Sequence, residues 1–236
     1  MSWEEIGRIY MRKAREAEPW KGIMYGIAHT HLMRIDYDKK AVDRMLETAP
    51  SPNEAKRRCP ISPNVFRGLG FYRTDTVSKT ICDKAEHSDK FISAVRRCAR
   101  DELKAMKLEG VDMYGLGWKG ADMTLLDCGC ETPVIDVHLA RYLARTDPEF
   151  LRELGLKEYD PEAVSRKVRT IQISRNPTRY DRLWRIAKKH AEREGKPAGE
   201  WHVEVWMRER FRSEYPRLTE EQRLELARNY VRNLFK

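Results

Sequence analysis

The chain carries 236 residues, 35% of them charged and 41% hydrophobic, and 46 Lys and Arg against 37 Asp and Glu leave a formal charge of +9. That apolar share supports a real core and argues against global disorder, and the length fits one large domain or two small lobes. No run of 18 apolar residues exists, which excludes a transmembrane helix and, with it, a membrane-embedded role. The start Ser2-Trp3-Glu4-Glu5 lacks the basic-then-apolar layout of a secretory signal, so an intracellular protein is expected. The charge is uneven: residues 163–236 hold 19 Lys and Arg against 10 Asp and Glu, whereas residues 1–162 hold 27 of each. Such a basic third favours a polyanionic partner over an acidic small molecule.

The apolar periodicity is helical nearly throughout. Trp3, Ile6, Ile9 and Tyr10 open an amphipathic stripe that fades before Pro19, and a second apolar segment covers Ile23 to Met33. Ala41, Val42, Met45 and Leu46 mark a short helix stopped near Pro50. Ser51-Pro52-Asn53-Glu54 reads as a capping box with proline at the first helical position. Another short helix starts at Ser62-Pro63 and ends at Gly68-Leu69-Gly70. Longer helices fit Thr74 to Ala85 and Ser88 to Met106, and, after a Gly115–Gly117 segment, Trp118 to Asp127 and Val137 to Ala144. Further helices fit 148–154, 161–173, 178–194, 200–214 and 219–235. Neither alternating strands nor a hairpin turn between apolar runs is evident, so the fold class is all-α, about ten to twelve short helices joined by short links.

The five cysteines are Cys59, Cys82, Cys98, Cys128 and Cys130. Odd in number and scattered, they read most simply as reduced thiols. Cys128-Gly129-Cys130 is the one close pair, and it lacks the second ligand pair that a tetrahedral metal site carries.

The most informative stretch runs from Met106 to Asp122: a helix ends, Gly115-Leu116-Gly117 turns, and a helix opens with Trp118-Lys119-Gly120-Ala121-Asp122. Glycines there permit positive φ and close backbone approach, and the free amides opening the second helix suit an anion such as a phosphate diester. By itself this is equally an interhelical turn with no ligand. Seventeen residues after Lys119 stands Asp136, in Pro133-Val134-Ile135-Asp136-Val137-His138, at an expected helix start.

Helix, Gly-x-Gly, helix, then Val-x-Asp-x-His resembles the helix-hairpin-helix superfamily of DNA glycosylases. Gly68-Leu69-Gly70-Phe71-Tyr72-Arg73 is similar to the Gly-Phe/Tyr-Tyr motif upstream of the hairpin in that superfamily. The resemblance covers roughly residues 20–145. It implies a two-lobed helical fold, with a lobe near 24–128 that contains the hairpin (106–127) and a second lobe from 1–23 plus 129–236. No iron–sulfur cluster is implied, because the four-cysteine group that follows the hairpin in many endonuclease III relatives is missing.

The resemblance further implies that Lys119 is a Schiff-base nucleophile and Asp136 its carboxylate partner, in a bifunctional glycosylase and abasic-site lyase. Free lysine titrates at about 10.4, so its amine must be poised by desolvation, nearby cations or the positive end of a helix. Asp136 would stabilise positive charge developing at the sugar, and as an isolated residue it is an ordinary helix N-cap. Lys119-x-Ala121-Asp122 and Val-Asp136-Val-His138 are closer to the 8-oxoguanine branch, so 8-oxoguanine is the expected base. An oxidised pyrimidine, a deaminated base, or a non-catalytic DNA-binding hairpin are the alternatives. Gly115, Gly117 and His138 are implied DNA contacts, and Met123 occupies the place that packs on the flipped base. His29-Thr30-His31 lies near the family's wedge position and departs from its usual Gln or Asn. The resemblance implies no required cofactor, save a backbone-bound monovalent cation at the hairpin.

Within the basic third, Arg182, Arg185 and Lys189 share one broad face of the 178–194 helix and are candidate phosphate contacts. Trp201 and Trp206 are candidate pocket walls whose helical spacing suits a core equally well. The expected partner is double-stranded DNA with a damaged base or abasic site, met by a monomer.

Overall fold

A computed structural model describes residues 2–32, 34–108, 117–174 and 176–235. Among them every element is helical, and the one extended pairing is an isolated bridge between Leu32 and Phe71. The helices are α1 (Trp3–Glu16), α2 (Pro19–His31), α3 (Asp38–Thr48), α4 (Pro52–Arg58), α5 (Thr74–Glu86), α6 (Ser88–Arg96), α7 (Arg100–Leu108) and α8 (Trp118–Asp127). They continue with α9 (Val137–Thr146), α10 (Pro148–Glu153), α11 (Pro161–Ile173), α12 (Thr178–Arg193), α13 (Ala198–Glu214) and α14 (Glu220–Asn233). Single 3-10 turns cover Ile35–Tyr37 and Pro63–Phe66. The chain divides into one unit of residues 14–130 with 235–236, holding α2 to α8, and another of 1–13 with 131–234, holding α9 to α14. The division falls inside α1 and just after Cys130, whereas the resemblance places its lobe edges at 23/24 and 128/129.

In the α2–α8 unit the central contact is between α2 and α8. Gly22 and Gly26, one turn apart on α2, let the backbones meet: a Cβ at Gly22 would lie 2.7 Å from the Asp127 carbonyl oxygen, and one at Gly26 2.7 Å from Thr124 Cα. At the end of this contact the fully buried His29 ring lies between two carboxylates. Its Nδ1 is 2.8 Å from Asp127 Oδ2 of α8 and its Nε2 3.0 Å from Asp38 Oδ2 of α3. Trp20 adds an indole hydrogen bond to the Ala49 carbonyl at 2.8 Å, so α2, α3 and α8 are fixed together.

Two expectations are corrected here. The single helix from Ser88 to Met106 is broken into α6 and α7 because Cys98 takes left-handed backbone (φ 52), with Ala99 N donating back to the Ala94 carbonyl. The cysteines are not all reduced. Cys59 pairs with Cys82 and Cys98 with Cys130, 23 and 32 residues apart, leaving Cys128 as the free thiol. Closing loops of this size in the unfolded chain stabilises by about 3–4 kcal/mol each. Disulfides persist in oxidising compartments and, in hyperthermophiles, inside the cell as well. The capping box at Ser51 is half formed: Ser51 Oγ accepts from Glu54 N at 3.2 Å, while the Glu54 carboxylate pairs with Arg57.

The α9–α14 unit is assembled by caps that double as ties. Asp147 Oδ1 accepts from Glu149 N and Phe150 N to start α10, and its Oδ2 takes Arg193 of α12 at 2.6 Å. Thr219 and Gln222 form a reciprocal capping box at α14, and Trp3 donates its indole N–H to Glu220 at 2.6 Å. No helix among the described residues is long and apolar enough to cross a membrane.

The His29 triad carries a pH signature. Burial alone would lower the imidazole pKa, but Asp127 and Asp38 outweigh it and raise it from 6.5 to about 9. A raised histidine contributes stability that is full below its unfolded pKa and lost as pH rises through the folded one, here a window of 6.5 to about 9. The stability gap between wild type and His29→Gln, measured by urea denaturation, is therefore expected to shrink by on the order of 3 kcal/mol between about pH 6 and about pH 10. A gap independent of pH would mean that the ring is neutral in the fold.

Candidate functional site

Helix α8 is buried on every residue but one. Trp118 and all residues from Gly120 to Asp127 are buried, and Lys119, in the first turn, is half-buried. The helix opens behind Gly117, an N-cap residue that has no side chain and so makes no side-chain cap of its own. The polar groups on the buried faces are matched individually. Asp122 takes a two-pronged ion pair from Arg100 of α7, Nε to Oδ1 at 2.6 Å and Nη2 to Oδ2 at 3.1 Å. Asp127 is held by His29, and Thr124 donates to the Gly120 carbonyl at 2.8 Å.

Thr124 also accepts from Lys84 of α5, at 3.3 Å, and this lysine is the least expected group in the unit. It is 2% exposed, its ammonium lies 4.6 Å from the Phe91 ring centroid, and no carboxylate among the described residues pairs with it. Burial pushes its pKa down from 10.5 to about 7, with the Cys128 thiol opposing weakly. His31, at the end of α2, has an Nε2 shielded from solvent with no hydrogen-bond partner among the described residues. Burial lowers its pKa from 6.5 to about 4, and the charges of Lys119 and Lys84 add to the shift. Lys119 thus shares its unit with two further nitrogen bases, Lys84 and His31, whose protonation is disfavoured. The Cys128 thiol, deeply buried beside Asp127, is pushed far above its usual range.

The upstream motif loop belongs to the same unit. Gly68 and Gly70 take positive φ (77° and 79°), and Gly70 packs on the Tyr37 ring, where a Cβ would lie 2.7 Å from the nearest carbon. Phe71 bridges to Leu32, and Tyr72 N donates to the His31 carbonyl at 3.1 Å. This leaves the Tyr72 ring 69% exposed, the most exposed of the large hydrophobic side chains among the described residues.

Asp136 lies in the α9–α14 unit. It is the N-cap of α9, 4% exposed, with Oδ1 accepting from Leu139 N at 2.7 Å, and no protein donor among the described residues holds Oδ2. The segment before it is suspended by side chains from the basic third. Tyr180 OH accepts from Ile135 N (3.3 Å), Gln172 donates to the Ile135 carbonyl (2.6 Å), His202 Nδ1 accepts from Val134 N (3.4 Å), and Trp184 donates to Thr132 Oγ1 (3.0 Å). Capping and a free second oxygen therefore coexist in one carboxylate.

Met123, Trp201 and Trp206 are core positions, 1%, 0% and 2% exposed. Trp201 packs against Tyr142 and His190, and Trp206 stacks on His202 under Arg210. Arg182 is committed to Glu153 at 3.0 Å, whereas Arg185 and Lys189 are exposed and make no ion pair among the described residues. His138 is half-buried in the first turn of α9. Gly115 and the segment expected to hold a monovalent cation lie outside the described residues, which themselves contain no group of three His, Cys, Asp or Glu able to hold a metal.

Sequence reasoning missed Lys84, although a signal was present: Lys84 continues the buried stripe of Val77 and Ile81 at helical spacing. Compared with protein-family models, with characterised proteins and with solved structures, the chain matches none.

The buried Lys84 yields a stability test. With its pKa at about 7 in the fold and 10.5 when exposed, the penalty for burying its charge is full below pH 7 and fades as pH rises through that window. Lys84→Met is expected to raise the urea midpoint most at about pH 6 and hardly at all near pH 10.5. An equal gain at both values would place the amine in water.

Proposed function

We propose that the chain is a DNA glycosylase and abasic-site lyase of the helix-hairpin-helix type, acting on double-stranded DNA and excising an oxidised purine, with 8-oxoguanine as the expected base. The observation that carries this reading is that α8 buries all of its residues except Lys119, which is half-buried in its first turn. A half-buried lysine in the first turn of a buried helix, in a unit with two poorly protonated bases, supports a reading as an amine nucleophile over one as a solubilising charge.

In this reading the Lys119 amine attacks C1′ of the damaged nucleotide, the bond to the base breaks, and the base leaves with a proton. Opening of the sugar gives a Schiff base between Lys119 and C1′. Loss of the C2′ proton then expels the 3′ phosphate by β-elimination, and water releases the lysine. The Asp136 oxygen not used in capping supports the positive charge that develops at the sugar. Tyr72, exposed on a loop tied to the end of α2, is suited to fill the stack vacated by the extruded nucleotide. Arg185 and Lys189 supply sequence-independent phosphate contacts from α12.

Borohydride reduction of the protein with an abasic duplex is expected to give a covalent complex that Lys119→Gln abolishes. Asp136→Asn is expected to slow its formation by about 100-fold or more while duplex binding persists. Full trapping with Lys119→Gln would overturn the assignment. For the basic face, Arg185→Gln with Lys189→Gln is expected to reduce the slope of log Kd against log salt by about 2. An unchanged slope would remove α12 from the interface.

A further inference from the structure

We infer that the Cys98–Cys130 disulfide is a clamp on the helical pair that carries Lys119, and that its two cysteines are positioning residues for that lysine. Cys98 stands just before α7 and Cys130 just after α8, so the bond closes the outer ends of the two helices joined by residues 109–116. Everything between the cysteines belongs to that pair and its connection. The Arg100–Asp122 ion pair crosses the same two helices, so one covalent and one charged tie act on them together.

The backbone at both ends is shaped for the bond. Cys98 adopts φ 52, a left-handed conformation uncommon for a residue with a Cβ, and this turns the chain from α6 into α7. After α8, Gly129 at φ 85 lies against Arg15 of α1, and Cys130 N donates to the Leu125 carbonyl at 2.9 Å, which directs Cys130 back towards Cys98. The third thiol does not compete. Cys128, two residues away, is half-buried, and desolvation holds its thiol far above the usual range, so little thiolate forms to attack the bond. Cys98 is an exposed residue and Cys130 a buried one, so an external dithiol would reach the bond from the Cys98 side. In that exchange the S–S bond breaks, two thiols form at Cys98 and Cys130, and the dithiol is oxidised to its own disulfide, so electrons and protons balance. With the clamp open, α7 and α8 keep the Arg100–Asp122 pair and their packing but lose the covalent tie, and the amine of Lys119 loses its fixed approach.

The functional part of this inference rests on the proposed lyase reading, and the test separates the two. The Cys59–Cys82 bond closes a loop of similar size elsewhere in the same unit and serves as the control. Cys98→Ser with Cys130→Ser and Cys59→Ser with Cys82→Ser are compared in the full chain below both melting temperatures, by borohydride trapping at saturating abasic duplex and by amide hydrogen exchange. Both variants are expected to melt earlier. Only the first is expected to trap about tenfold or more slowly and to exchange faster across Arg100–Leu108 and Trp118–Asp127. Dithiothreitol should slow wild type similarly and leave the first variant unchanged. Wild-type trapping rates in that variant, or equal losses in both variants, would overturn the inference. If wild type itself does not trap, the lyase reading fails, and the exchange pattern alone decides the clamp: unchanged protection of α7 and α8 overturns it.

Discussion

Burying a helix on nearly all its residues is stable only if each polar group it carries into the interior finds a partner, because an unmatched buried group costs about 1–3 kcal/mol and an unmatched charge more. In α8 that condition accounts for much of its unit. Asp122 requires Arg100, which fixes α7. Asp127 requires a cation, and His29 supplies it while also engaging Asp38, which fixes α2 and α3. Thr124 takes Lys84, which fixes α5. The glycines at 22 and 26 follow from the same requirement, since helices matched through short side chains must approach closely. Lys119 is the one residue of α8 that is half-buried rather than buried.

The other unit obeys a related rule around Asp136. Its carboxylate starts α9, and the extended segment before it has backbone groups that no helix can satisfy, so side chains from α11, α12 and α13 satisfy them. The basic third is thus less a surface of free charge than composition implies. Arg179, Arg182 and Arg193 are committed to α10 or its cap, and Tyr180 and Trp184 hold the segment before Asp136. The free cations on α12, Arg185 and Lys189 among them, are a subset of the excess.

Helix positions were legible where periodicity marked them, as at 161–173, because that signal is local. The break at Cys98 was not, since an unbroken apolar stripe runs across it and its left-handed backbone falls on a cysteine rather than on a glycine. Cysteine pairing cannot be read from spacing, and an odd, scattered set suggested thiols. Trp201 and Trp206 illustrate the opposite difficulty: the same spacing serves a stacking wall or a core, and only three-dimensional packing against Tyr142, His190 and His202 decides. Lys119 and Asp136 were legible as candidates through ordered motifs. The ion pair behind Lys119 and the suspension of the Asp136 segment were not, because each joins residues 22 or more positions apart; for Lys84 the helical spacing marked burial, but its partner Thr124 lies 40 positions away.

The central claim is that one amine, left open on an otherwise buried helix, does chemistry on an abasic sugar. Borohydride-reduced complexes with an abasic duplex, digested and sequenced by mass spectrometry, locate that amine directly. The account predicts a single sugar adduct on Lys119. An adduct on Lys84, on a lysine of α12 or on the N-terminal amine, or no adduct on any residue, would contradict it.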